Sequence, residues 1–118
     1  MKILIIEQEK TFLQSLRNFL EYQKGTKVSW AHSEREGFSL WRKQAFDIVL
    51  CAERLPDGSG LQTLKAMVRE RPGTKSILMT ARHDERLRQE ASMAGIQRYL
   101  EKPFDLQHLE EAMGVLHP

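Results

Sequence analysis

The chain has 118 residues, 41% of them hydrophobic and 29% charged, with 18 basic side chains against 16 acidic ones and a formal net charge of +2. That length gives one domain, which buries roughly two-thirds of its unfolded surface and so folds without a metal or a disulfide staple. The weak, interspersed charge excludes an electrostatic footprint for nucleic acid or a membrane surface, the lone Cys51 excludes an internal disulfide and fits a reducing compartment, and the apolar start stops at Glu7, too early for a signal peptide or a membrane span. A cytoplasmic protein is expected.

Lys2-Ile3-Leu4-Ile5-Ile6 is a continuous apolar run, the pattern of a strand covered on both faces. A helix follows with Phe12, Leu13, Leu16, Phe19 and Leu20 on one face, ended by Gly25. Lys27 to Ala31 reads as a second strand with edge character. Ser33 opens the next helix, with Glu36 three residues on completing a capping-box pattern and Phe38, Leu40 and Trp41 on the apolar side. Asp47 to Ala52 is the third strand. It runs into the turn Pro56-Asp57-Gly58-Ser59-Gly60, and a helix from Ser59 carries Leu61, Leu64 and Val68 until Arg71-Pro72-Gly73 stops it. Ser76 to Thr80 is the fourth strand. Asp84 to Ala94 is a weakly apolar helix, with only Leu87, Ala91 and Met93 as contacts and Arg82, Arg86 and Arg88 along it, ending at Gly95. Gln97 to Leu100 is the fifth strand, and Asp105 caps a last helix with Leu106, Leu109, Met113 and Leu116 facing inward.

Five strand–helix units joined by short connections predict an α/β fold: a three-layer (βα)5 sandwich with a parallel sheet of flavodoxin-like order 2-1-3-4-5. The sequence ends one helix after the fifth strand, so the domain is expected to be complete. In this topology the carboxyl ends of strands 1, 3, 4 and 5 meet at one crevice, where open α/β sheets bind their ligands. The residues delivered there are Glu7-Gln8-Glu9, Ala52-Glu53, Thr80-Ala81 and Glu101-Lys102-Pro103-Phe104.

The acidic stretch after strand 1, the spacing Ala52-x-x-x-Pro56-x-x-x-Gly60, Thr80-Ala81 at the end of strand 4 and Lys102-Pro103-Phe104 after strand 5 together resemble a bacterial response-regulator receiver domain, the phospho-accepting module of two-component signalling. The resemblance covers residues 1–118. It implies that an acidic pair at positions 7 and 8 holds Mg2+ together with an acceptor aspartate at 52, that Thr80 and Lys102 bind phosphoryl oxygens, that Thr80 and Tyr99 form a switch, and that the Lys102-Pro103 bond is cis. The chemistry is sound: a carboxylate serves as nucleophile for an acyl phosphate, and Mg2+ takes hard oxygen ligands.

Position by position the match is partial. Gln8 is neutral and Ala52 is a methyl, so Glu7, Gln8, Ala52, Thr80 and Lys102 form a degenerate phosphorylation pocket that keeps its phosphate-sensing side and loses its accepting side. Neither phosphorylation at 52, nor tight Mg2+ binding, nor any catalytic residue is expected. A register with Glu53 as acceptor is disfavoured, because Pro56 and Gly60 both place the acceptor at 52 and strand alternation turns Glu53 away from the pocket. Lys102 without its aspartate would be an unpaired cation in a crevice, and Glu7, one methylene longer than Asp, is expected to reach it; Glu9, a water-filled pocket or a Lys102 pointing to solvent are the alternatives.

The resemblance therefore implies an atypical receiver that is not an enzyme and works by contact with a protein partner, or with itself, through helix 4, strand 5 and helix 5. Competing readings are a receiver with a non-standard acceptor, the regulatory domain of a longer DNA-binding regulator with an output domain beyond Pro118, and a flavodoxin-like cofactor enzyme. The last fails because Glu7-Gln8-Glu9-Lys10 is acidic where a phosphate loop is needed. His32, His83, His108 and His117 show no metal-ligand spacing with Cys51, and Cys51 itself is expected to be inert. Trp30 and Trp41 read as packing residues, and the arginines at 82, 86 and 88 as either a docking face or a solvated helix face.

Overall fold

The apolar runs form strands, the central ones buried on both faces, and the amphipathic stretches between them become the helices that cover those faces. The structure, a computed structural model, describes residues 1–114. In chain order the elements are β1 (Lys2–Ile6), α1 (Lys10–Glu21), β2 (Lys27–Ala31), α2 (Glu34–Lys43), β3 (Ile48–Ala52), β4 (Arg54–Leu55), β5 (Gly58–Ser59), α3 (Gly60–Glu70), β6 (Lys75–Thr80), α4 (Glu85–Met93), β7 (Arg98–Glu101) and α5 (Leu106–Met113). The sheet is parallel throughout, in the order β2-β1-β3-β6-β7. This is the expected 2-1-3-4-5 order, because β4 and β5 are a two-residue antiparallel hairpin outside the sheet, in the loop after β3. The hairpin is an addition that strand periodicity could not show at that length.

Alternation along the central strands divides the core in two. Leu4, Ile6, Val49, Cys51, Ala52 and Leu78 face α2, α3 and α4 through Trp41, Leu64, Met67, Leu87 and Ala91. Ile3, Ile5, Ile48, Leu50, Ile77 and Met79 face α1 and α5 through Leu13, Leu16, Leu20, Leu109 and Met113. Several inward assignments shift. On α3 the packing is done by Thr63, Leu64 and Met67, with Leu61 and Val68 only half-buried. On α4, Leu87 and Ala91 share a face, whereas Met93, two residues further and on the opposite side, is 88% exposed. Leu106 opens α5 at the rim of an apolar groove against α1 and is 54% exposed. Trp41 is a core residue stacked on Phe46, but Trp30 is on the surface under the Arg17 guanidinium. Leu116 and His117 lie outside the described residues.

The predicted caps at Ser33 and Asp105 form as side-chain to backbone bonds, and Ser59 and Asp84, expected only as helix starts, prove to be caps as well. Ser33 Oγ accepts from Glu36 N, Ser59 Oγ from Gln62 N, and the carboxylates of Asp84 and Asp105 from the first turns of α4 and α5. Glu9 caps α1, accepting from Thr11 N and Phe12 N at 3.0 and 2.6 Å. A further cap comes from a distance. Asp57, in the turn between β4 and β5, accepts from Glu34 N and Arg35 N at 2.8 and 3.0 Å and so ties the hairpin to the start of α2. Among the described residues no helix is long and apolar enough to cross a membrane.

Two outcomes follow from these contacts. Gly60 opens α3 so close to β3 that a Cβ there would lie 2.1 Å from the Ala52 carbonyl oxygen. Gly60→Ala should therefore destabilise the fold by about 2 kcal/mol, the scale of an overpacked contact that rigid backbone cannot relieve, read as a lower urea midpoint. The Arg35 and Glu34 N–H groups hold the Asp57 carboxyl below its ordinary 3.8. A depressed carboxyl pKa gives stability that is present above 3.8 and lost as the pH falls through the lower folded value. Urea midpoints taken from pH 6 down to pH 2 should thus fall more steeply for the native chain than for Asp57→Asn.

Candidate functional site

The carboxyl ends of β1, β3 and β6 and the loop after β7 enclose a cavity of about 370 Å3. Glu7, Gln8, Ala52, Thr80 and Lys102 all line it, so the structure brings the five expected pocket residues together. Tyr99 lies outside it, in a neighbouring cavity of about 510 Å3 shared with His83, Arg88 and His108.

Glu7 is the buried charge of the site, 2% exposed at the end of β1. Its Oε1 accepts from Lys102 Nζ at 2.5 Å and its Oε2 from Glu9 N at 3.2 Å. The ion pair expected from the longer side chain is present, and Lys102 does not point to solvent. The lysine is fixed further by its own N–H donating to Thr80 O at 2.6 Å and by the Phe12 ring 4.3 Å from its ammonium. The Lys102-Pro103 bond is cis. Beside the pair, Ala52 is 2% exposed and presents only a methyl. Gln8 Nε2 donates to Arg54 O at 3.1 Å, joining the loop after β1 to the hairpin. Cys51, one residue earlier, is fully buried, and burial first and the Glu7 charge second push its thiol far up, which keeps it protonated.

Glu53 departs from expectation: it faces into the cavity. Alternation fixes direction only within a pleat, and β3 ends at Ala52, where Glu53 begins the turn that Gly60 N closes onto Glu53 O at 2.8 Å. Its side chain is 11% exposed. Oε1 accepts from Thr80 Oγ1 at 2.5 Å, and Oε2 accepts from Arg82 Nη1 at 2.5 Å. Thr80 Oγ1 in turn accepts from Arg82 N at 3.0 Å. The other end of the Arg82 guanidinium pairs with Asp84, the cap of α4, and Tyr99 donates its hydroxyl to Arg82 O at 3.1 Å. Glu53 and then Asp84 hold the Arg82 pKa above its ordinary value, while the Leu87 N–H and Arg82 hold Asp84 below its own. Partial burial, and then the Glu101 carboxylate, push the Tyr99 phenol up.

Arg88 stacks over the Tyr99 ring, 5.0 Å from its centroid, and lies 3.8 Å from Glu101, which also meets His83 at 2.6 Å. The three arginines thus divide: Arg82 belongs to the pocket, Arg88 covers Tyr99, and Arg86 is on the exposed face of α4. Among the described residues no group of three or more His, Cys, Asp or Glu is placed to hold a metal ion. Glu53 was the residue that sequence reasoning missed. The signal available for it was its position one past the strand, beside a turn rich in glycine.

Lys102→Met should leave the Glu7 carboxylate buried without its cation and destabilise the fold by about 3 kcal/mol, whereas a Glu7→Gln/Lys102→Met double variant should recover part of that loss. Chemical denaturation of the four proteins in the cycle measures both.

Comparison with known proteins gives a consistent result. The family described as response regulator receiver domain matches residues 3–114. Over 111 residues the chain is 31% identical to the transcriptional regulatory protein ZraR of Salmonella typhimurium; the match takes in 94% of this chain and 25% of ZraR, so the chain spans about a quarter of that relative's length. The non-phosphorylated HemR receiver domain of Leptospira biflexa superposes with a TM-score of 0.86 at 29% identity, covering 99% of this chain and 97% of that one. A two-component response regulator of Clostridium difficile superposes with a TM-score of 0.90 at 27% identity, covering 98% and 93%. With the fold, the carboxyl-end pocket and the family match over nearly its whole length in agreement, the chain belongs to the response regulator receiver domains.

Proposed function

We propose that this receiver domain signals by protein contact without phosphorylation at position 52. The observation that carries the reading is the filling of the pocket by the protein's own carboxylates. Lys102 is neutralised by Glu7, and Thr80 is engaged by Glu53, while the end of β3 offers only the Ala52 methyl. An incoming phosphoryl group would find no nucleophile at 52, and both groups suited to bind its oxygens already have partners.

The donor set also suits Mg2+ poorly. The carboxylates there are engaged, Glu7 by Lys102, Glu9 by the first turn of α1 and Glu53 by Thr80 and Arg82, and beside them stand an amide that donates its N–H2 to Arg54 O and a methyl, where the ion asks for several free hard oxygens. We therefore assign no metal to the working form. The partner surface on this reading is α4, β7 and α5, where Tyr99, Arg88 and the exposed Met93 lie, and the domain acts as a non-enzymatic cytoplasmic module. The length and name of ZraR support a further proposal, that the receiver regulates an attached transcriptional output domain.

A second reading has one observation in its favour: Glu53 is a carboxylate in the pocket and could serve as a non-standard acceptor. Both its oxygens are held by Thr80 and Arg82, which argues for a structural part. Incubation with acetyl phosphate and Mg2+, read by intact mass, decides between them. No phosphoryl adduct is expected; an adduct lost in Glu53→Gln would establish the second reading. Ala52→Asp should accept phosphate only weakly and incompletely, because Gln8 still lacks a charge for the metal. Full Mg2+-dependent phosphorylation of that single variant would show that Gln8 does little harm.

A further inference from the structure

The β6–α4 loop has almost nothing apolar to hold it. Ala81, Arg82 and His83 are exposed, and α4 beyond them anchors through Leu87 and Ala91 alone among its buried residues. Yet Arg82 is fixed at every polar group it carries: its N–H to Thr80 Oγ1, its carbonyl to the Tyr99 hydroxyl, and its guanidinium to Glu53 on one side and to the α4 cap Asp84 on the other. Two of these ties, the Thr80 hydroxyl and one side of the guanidinium, meet at one side chain from another part of the chain. Glu53, 27 positions before Thr80 and 29 before Arg82, reaches both with the two oxygens of a single carboxylate.

We infer that Glu53 is a built-in latch: a tethered carboxylate that occupies the pocket as its own ligand and holds the β6–α4 loop, the start of α4 and Tyr99 in one arrangement. Remove it, and Thr80 loses its acceptor while the Arg82 guanidinium keeps only Asp84, a half-exposed partner whose pairing is weak in water. The loop then has no tie to β3, and α4, with its two buried side chains, is the element free to respond. A partner that binds the α4–β7 face meets a surface preset by Glu53, with no bound ligand needed to order it. The latch leans on the preceding reading in one respect only, that no phosphoryl group competes for Thr80.

Hydrogen exchange followed by mass spectrometry tests it, on the full 118-residue chain and without any phosphodonor, so the result is independent of whether the domain can be phosphorylated. In Glu53→Ala, exchange across residues 81–93 should accelerate about tenfold or more, the loss expected for charge-assisted bonds to a largely buried carboxylate. Exchange in β1 and β3 should stay as in the native chain. Arg98→Ala, outside the network, should change neither region. Should Glu53→Ala fail to fold, Glu53→Gln decides: it keeps an oxygen for Thr80 and loses the charge facing Arg82, and it should speed residues 81–93 selectively but less. Protection of residues 81–93 within about twofold of the native chain in a folded Glu53 variant would overturn the latch, as would a rise spread evenly over the sheet.

Discussion

A parallel sheet covered on both faces leaves one place for polar side chains to converge, the edge where its strands end together. Everything chemical in this protein follows from that constraint. The central strands β1, β3 and β6 are apolar through their middles, and at or just past the carboxyl end each delivers a polar side chain: Glu7 after Ile6, Glu53 after Ala52, Thr80 closing β6. Glu7 sits deepest. A carboxylate buried to that degree must have a cation, and Lys102 comes from the other end of the chain to provide it. The pair therefore joins the first strand to the last loop, and with the Lys102 N–H bonded to Thr80 O it stitches three strand ends into one rim.

The same rim explains why the scaffold tolerates an alanine at position 52. Beside the Ala52 methyl stand a lysine and a hydroxyl that each need a polar partner. They are taken up separately, Lys102 by Glu7 and Thr80 by Glu53. The buried polar groups at the rim are satisfied, which is what a folded interior requires, and the methyl of Ala52 packs into the core with Leu78 and Leu64.

Sheet order, strand ends and the caps at Ser33 and Asp105 were legible in the sequence because they depend on local signals: continuous apolar runs, Ser or Asp ahead of an amphipathic stretch, and glycine after it. The Glu7–Lys102 pair was legible too, since topology places both residues at one edge and an unpaired buried cation is costly. Glu53 was not. Its direction depends on where the pleat stops, and a bend one residue long has no periodicity. The reach of Asp57 to α2 was hidden for a related reason: a turn residue is ordinarily satisfied within its own turn, and only the tertiary fold brings the α2 N-terminus beside it. Met93 and Leu106 failed as inward residues because apolar character alone does not fix a face on a helix as short as α4 or at the first position of α5.

The cap that Asp57 places on α2 has a mechanical consequence. Two residues of one short loop hold two different helices: Asp57 grips the start of α2, and Glu53, four positions earlier, grips the approach to α4 through Arg82. Beyond them Gly60 N closes the loop on Glu53 O, and Gln8 fastens it to the end of β1. The segment after β3 thus behaves as a yoke across the top of the sheet. Two helices of the same sheet face are thus anchored to one short loop outside the sheet, and neither anchor depends on the apolar core.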